Sequence, residues 1–181
     1  MLKKIGMLVL YSTLISGCAS SSGGLASHYN ERLNHGWDAL QRQDYKTAHE
    51  SFLQIAAWDS RAQVNLGMMY LKGQGVDQDY EAASNWFRKA SEKNIPQAQY
   101  KLGDLYFKGR GVPKDYEYAY IWYSVGASHK HELSEKSVKK AKNKLSDEEL
   151  KEADKVIVTY IKKYGPEKDI DPTKPVKIEN E

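Results

Sequence analysis

A repeat of 36 residues constrains the fold of this chain more than any other feature of its sequence. The segment 62–76 returns as 98–112, and fourteen of the thirty positions in 62–91 are identical to those in 98–127. Within each copy, apolar residues recur at steps of three and four, and a Gly-x-Gly-Val sequence interrupts them. Each copy therefore predicts two helices folded back on each other, and stacked hairpins of this kind predict an all-α solenoid.

Glycine and aspartate residues fall where the ends of these helices require them. Gly73 and Gly109 follow the first helix of each copy, where a left-handed residue commonly ends a helix. Asp79 and Asp115 precede the second helix, and their carboxylates can accept the free amides of its first turn. Small residues should let each hairpin close tightly, and these are Gly67, Ala83, Gly103 and Ala119.

A weaker copy of the pattern comes before the two strong ones. It consists of Gly36, Asp44, Tyr45, Ala48, Phe52 and Ile55. A plain turn at 41–43 replaces Gly-x-Gly-Val in this copy. We therefore predict a helical repeat domain over 28–164, built from a degenerate hairpin over 28–57 and repeats over 60–94 and 96–130.

Two Lys-rich helical runs follow the second strong copy and predict capping helices over 133–144 and 147–164. Ser134 and Ser146 each precede acidic residues, and Ser146 with Glu149 has the spacing of a capping box. A stack of repeats needs such a cap, because its last hairpin otherwise leaves an apolar face in water.

One helix face turns apolar between the two strong copies, where Ala82, Asn85 and Lys89 are replaced by Tyr118, Ile121 and Val125. Two explanations are open for this change. The capping helices cover the apolar face, or the face stays exposed and binds a partner.

The first eighteen residues have the pattern of an export signal. Lys3 and Lys4 give a basic start, and the apolar run 5–15 is too short to cross a bilayer. The sequence Ile-Ser-Gly-Cys that ends at Cys18 resembles the lipobox of bacterial lipoproteins. The resemblance implies a signal peptide over 1–17, diacylglycerol on the sulfur of Cys18, and acylation of the new amino terminus. The alternative is an ordinary secreted protein with one cysteine at this place.

The residues after Cys18 predict where the protein is held. In lipoproteins an Asp after the cysteine usually signals retention in the inner membrane, whereas this chain has Ala19. The resemblance thus implies the periplasmic face of the outer membrane in a cell with two membranes. Small polar residues predict a flexible tether over 18–27. The segment 165–181 has three prolines and little to bury, so we predict a disordered tail.

The repeated residues resemble the Sel-1-like repeat, a relative of the tetratricopeptide repeat. Its pattern runs Ala-x-x-x-Leu-Gly-x-x-Tyr, Gly-x-Gly-Val and Asp-x-x-x-Ala, followed by an aromatic pair, which Trp86-Phe87 and Trp122-Tyr123 supply here. In tetratricopeptide-like proteins the first helix of each hairpin lines the concave side of the superhelix. The resemblance then implies a partner-binding groove formed by Leu33, Trp37, Leu40, Val64, Met68, Leu71, Tyr100, Asp104 and Phe107. The alternative is that several of these side chains only complete the core.

Catalytic and metal-binding patterns are weak in this sequence. Ser137 and Lys140 match a Ser-x-x-Lys pattern, but the other motifs of serine β-lactamases do not follow. His129 and His131 alone are too few for a stable metal site, and two residues apart on a helix they diverge. Without Lys3 and Lys4 the formal charge of +3 falls close to neutrality, which excludes a nucleic-acid footprint. We therefore predict no enzyme activity, no metal and no cofactor.

The sequence as a whole favours a membrane-anchored adaptor in the bacterial cell envelope. Its partners would be an envelope protein or peptide segment and, through acylated Cys18, the lipid membrane. Two alternatives come from other classes of protein. The Tyr-rich faces could bind peptidoglycan or another glycan, and relatives with cysteine-rich repeats have been linked with β-lactamase activity, although their paired cysteines are missing here.

Overall fold

The computed structural model describes residues 21–166, and all the regular structure in that range is helical. The predicted signal peptide, Cys18 and positions 167–181 of the predicted tail lie outside the described residues. The described helices are α1 Ser21–Gln41, α2 Tyr45–Ile55, α3 Ser60–Lys72, α4 Tyr80–Ser91, α5 Pro96–Lys108, α6 Tyr116–Ser128, α7 Glu132–Lys142 and α8 Asp147–Tyr164.

The helices pair as hairpins, because α1 packs on α2, α3 on α4, and α5 on α6. The second helix of each hairpin then contacts the first helix of the next, and α7 and α8 both cover α6. This arrangement confirms the predicted all-α solenoid of helical hairpins with capping helices at its carboxyl end. Among the described helices, none is both long enough and apolar enough to cross a membrane.

The predicted helix ends are present in both strong repeats. Gly73 and Gly109 end α3 and α5 in the left-handed conformation, with φ of +67° and +66°. Asp79 accepts hydrogen bonds from the amides of the first turn of α4 at 2.9 Å, and Asp115 does the same for α6 at 2.9 Å. The chain therefore reverses direction at positions that the sequence marks.

A glycine on the first helix receives an aromatic ring from the second helix in all three hairpins. A Cβ atom on Gly67 would lie 2.7 Å from Cε1 of Phe87, and one on Gly103 would lie 2.8 Å from Cδ1 of Tyr123. In the degenerate hairpin the corresponding pair is Gly36 and Phe52, at 2.5 Å. The weak first copy thus packs by the same rule as the strong copies.

The amino-terminal end of the fold differs from the prediction. Helix α1 begins at Ser21, so residues 21–27 are helical, whereas a flexible tether was expected over 18–27. The reason is that a helix already formed gains one backbone hydrogen bond for each residue that extends it, which offsets the poor helix propensity of serine and glycine.

The capping helices account for most of the apolar face on α6. Ile121 and Val125 are buried, whereas Tyr118 is 42% exposed. The capping box between Ser146 and Glu149 is present at the start of α8. Helix α7 begins one residue earlier than predicted, with His131 as its N-cap in place of a serine.

Candidate protein-binding surfaces

Two of the nine predicted groove residues are core residues in the structure. Leu33 is 4% exposed and Val64 is 7% exposed, so a partner cannot reach either side chain in this conformation. Both residues lie on the first helix of a hairpin, as predicted, but each side chain packs against neighbouring helices. Leu33 belongs to the apolar cluster of α1–α3, and Val64 packs in the apolar cluster formed mainly by α4–α8. They are therefore removed from the candidate surface.

The other seven residues remain accessible to different degrees. Trp37 is 43% exposed, and the remaining six are half-buried: Leu40, Met68, Leu71, Tyr100, Asp104 and Phe107. The indole of Trp37 meets the edge of Phe52 at a centroid distance of 6.3 Å. We call these seven side chains the first-helix surface, since all of them lie on α1, α3 or α5.

The part of the first-helix surface on α5 is rigid and aromatic. The rings of Tyr100 and Phe107 lie 5.8 and 6.5 Å from the ring of Tyr123, which is itself buried on Gly103. Tyr100 also contacts the imidazole of His131 at 5.5 Å. Burial raises the pKa of Tyr123, and the nearby carboxylate of Asp104 adds to this, so the phenol stays protonated at neutral pH.

Lysines that the sequence analysis missed surround this aromatic strip. Lys108 donates to the carboxylate of Asp104 at 2.7 Å, and the ammonium of Lys101 lies 5.5 Å from the ring centroid of Tyr100. Burial lowers the pKa of Lys101, Asp104 raises it, and the positive charges of Lys72 and Lys108 lower it further. The surface therefore carries lysines beside its aromatic rings, whereas the nine residues predicted for the groove are apolar or aromatic apart from Asp104. The Asp104 and Lys108 pair has helical spacing that could have been found, but the approach of Lys72 from α3 depends on tertiary packing.

A second concavity, of about 660 Å³, lies between α2 and α4. The sequence analysis did not predict it. Its lining comprises Leu53, Ala56, Ala57, Gln63, Trp86, Lys89, Glu92 and Lys93. The ammonium of Lys89 lies 4.2 Å from the ring centroid of Trp86, and Lys93 donates to the carbonyl of Ala57 at 3.4 Å. We call this cavity the α2–α4 cavity.

No catalytic centre emerges from residues 21–166. That part of the chain holds no cluster of three histidine, cysteine or acidic side chains that could bind a metal ion. His129 contacts the carbonyl of Tyr164 at 3.0 Å and His131 contacts the hydroxyl of Ser134 at 2.9 Å, so the two imidazoles have separate structural partners. Ser137, the candidate nucleophile, is buried.

Comparisons with known proteins agree with this architecture. The Sel1 repeat family model matches residues 60–95 and 96–131. A protective antigen of uropathogenic Escherichia coli with an SLR fold has a similar structure, with a TM-score of 0.74 and 30% identity over 81% of this chain. The match covers 32% of that antigen, so this chain spans about a third of its length.

A Sel1 repeat protein from Oxalobacter formigenes is also similar, with a TM-score of 0.58 and 29% identity. The match covers 66% of this chain and 93% of that protein. A search of curated proteins found no match. Residues 60–131 are therefore two Sel1 repeats, and they form part of a helical-hairpin solenoid that resembles the folds of these two proteins.

Proposed function

We propose that this protein is a non-catalytic interaction scaffold, held by lipid on Cys18 at the periplasmic face of a bacterial outer membrane. Sel1 repeat proteins are generally protein-interaction scaffolds. The observation that carries the proposal for this chain is the first-helix surface, where half-buried aromatic side chains on α5 lie beside three lysines and Trp37 on α1 is exposed. Surfaces of this kind supply the aromatic anchors that dominate protein interfaces.

The charge of this surface indicates the kind of partner it would bind. Lys72, Lys101 and Lys108 outnumber the carboxylate of Asp104 beside them, whereas Glu132 and Glu135 lie near His131 at the edge of the surface, so an acidic group is attracted to the side of the lysines. The half-buried rings of Tyr100 and Phe107 provide apolar contact between these charges. An acidic protein segment with apolar anchors would satisfy both features.

The membrane anchor is supported by the sequence around Cys18, where a basic start, an apolar run and a lipobox-like Ile-Ser-Gly-Cys occur in order. A cysteine that carries two or three acyl chains stays at the membrane, because each buried methylene contributes about 0.8 kcal/mol. Cys18→Ser should move the protein from the membrane fraction to the soluble fraction of the cells. A mature protein with a free, unmodified thiol at Cys18 would contradict the anchor.

The scaffold role can be tested by crosslinking in intact cells followed by pull-down. We expect the double variant Trp37→Ala, Tyr100→Ala to lose its specific partners. The double variant Lys72→Glu, Lys108→Glu should lose them as well, although it removes no core side chain. Leu133→Ala with Val158→Ala is the matched control, because both are exposed apolar residues on α7 and α8 and neither belongs to the first-helix surface. Retention of every partner by both test variants would show that the first-helix surface is not the binding site.

The same cells allow the glycan alternative to be examined. Purified protein that co-sediments with cell wall, and loses this property in the Trp37 and Tyr100 variant, would replace the protein scaffold by a glycan binder.

A further inference from the structure

We propose that the α2–α4 cavity binds the carboxyl-terminal turn of a helix from a partner protein, a helix that carries two aromatic side chains four residues apart. The inference rests on the proposed scaffold function and names a second binding site for it. The argument comes from the repeat itself, because the matching position in the next repeat is already occupied by such a helix end.

The occupied position lies around Gln99, 36 residues after Gln63 of the cavity. The side-chain amide of Gln99 donates to the carbonyl oxygen of Tyr164 at 2.8 Å. His129 lies 3.0 Å from the same oxygen, and because a carbonyl only accepts, Nε2 of this imidazole must carry the proton. Two side chains of the repeat thus hold the last carbonyl of α8.

Aromatic contacts complete this docking. The ring of Trp122 lies 5.4 Å from the ring of Tyr160 and 5.8 Å from the ring of Tyr164, and Trp122 is only 5% exposed as a result. The two tyrosines are four residues apart, so both project from the same side of α8. The docked unit is therefore a helix end that presents a pair of aromatic rings and a terminal carbonyl, which accepts hydrogen bonds from the repeat.

The α2–α4 cavity repeats this arrangement without an occupant among residues 21–166. Trp86 corresponds to Trp122, Lys93 corresponds to His129, and Gln63 corresponds to Gln99. Gln63 is buried and donates to the carbonyl of Ala56, at the end of the preceding helix, much as Gln99 donates to the carbonyl of Ser91. The side chains that bind a helix end are thus present in the first repeat.

The residues that differ between the two sites indicate the charge of the ligand. Val125 and His129 are replaced by Lys89 and Lys93, and Ser128 is replaced by Glu92, so the wall of the cavity gains two positive charges and one negative charge. The carboxyl end of a helix carries a partial negative charge, and a free terminal carboxylate adds a full one. We therefore infer a partner helix that ends at or near its chain terminus, or in an acidic residue, directly after the aromatic pair.

The test uses the full chain and a labelled synthetic peptide with the sequence of residues 147–164 and a free carboxylate. Fluorescence anisotropy should show saturable binding, because the protein's own α8 occupies only the second-repeat site. Trp86→Ala should weaken binding about tenfold or more, as the loss of an interface tryptophan does. Lys89→Glu with Lys93→Glu should do the same without removing any core side chain, whereas Lys139→Glu with Lys140→Glu on α7 should have no effect.

Several results would overturn the proposal. The first is peptide binding that does not saturate as protein is added. The second is equal affinity of the peptide for the cavity variants and the α7 control. The third is unchanged affinity for a peptide that lacks both tyrosines. A dimer that dissociates on Trp86→Ala would show that the cavity binds a second copy instead. In the crosslinking experiment, partners retained by the cavity variants but lost from the first-helix variants would refute this site alone, whereas the absence of any specific partner would refute the scaffold function.

Discussion

Gly111→Ala should destabilise the protein by disrupting the contact between successive hairpins. Gly111 lies in the loop between α5 and α6, with φ of +68°. A Cβ atom at this position would overlap the carbonyl carbon and oxygen of Tyr80, the first residue of α4. Since the obstruction is backbone rather than a flexible side chain, α4 or the loop would have to move.

The size of this effect can be worked out with a matched substitution. Gly73 has almost the same φ, +67°, but a Cβ there would come no closer than 3.3 Å to Gln78. Gly73→Ala should therefore cost only the left-handed conformation of an alanine, about 1–2 kcal/mol. Gly111→Ala should cost the same amount plus about 1–3 kcal/mol for the displaced backbone, or about 2–5 kcal/mol in total.

Urea denaturation, monitored by circular dichroism, would measure the free energy of unfolding of the Gly73 and Gly111 variants. We expect the Gly111 variant to unfold at a lower urea concentration than the Gly73 variant, with a broader transition, because hairpins that lose their interface unfold less cooperatively. Equal losses in the two variants would refute the role of this glycine in stacking the repeats.

Three further predictions concern single interactions. Ser146→Ala should lower the free energy of unfolding by about 1 kcal/mol, because the capping box with Glu149 is lost; an unchanged urea midpoint would contradict this. Tyr120→Phe should lower the free energy of unfolding by about 1 kcal/mol, because the 3.0 Å hydrogen bond to Asp154 is lost. If Tyr120→Phe causes the same loss when Asp154 is already replaced by alanine, this hydrogen bond is not the cause. Burial lowers the pKa of His131 below its unfolded value of 6.5, so the unfolded chain takes up the proton first, and stability falls as the pH drops below that value toward the lower pKa of the folded state. His131→Gln should flatten that slope in urea titrations.

The hairpins were predictable because their signals are local. Gly73 follows its helix in the sequence, Asp79 caps the next one through the amides two and three residues later, and both functions depend on neighbouring backbone. The close pairing of Gly67 with Phe87 was also accessible, since helix periodicity brings the small and the aromatic position to the facing sides. These interactions recur in each repeat, so one copy supports the interpretation of the other.

The binding surface was less predictable because it depends on how helices from different hairpins meet. The periodic pattern marks Val64 and Met68 alike as apolar positions on α3, but only packing in the core that α3 shares with the following helices decides that Val64 is buried and Met68 half-buried. The approach of Lys72 on α3 to Lys101 on α5 is of the same kind, because the two residues belong to different repeats. Sequence periodicity identifies the apolar face of a helix, and tertiary contacts decide which residues of that face stay accessible to a partner.

The two Sel1 repeats also explain why α8 occupies the site in the second repeat, whereas no helix among residues 21–166 occupies the matching site in the first. Helix α8 is joined to α6 through α7, so it reaches the second repeat, where the position of Val125 is fully buried. In the first repeat Lys89 stands at that position, and an α8-like helix bound in the same way would have to accommodate its charge. The substitution therefore favours a helix end with a full negative charge, such as the free carboxylate of the test peptide, over α8 within the chain, where Tyr164 is followed by Gly165 and carries no terminal carboxylate.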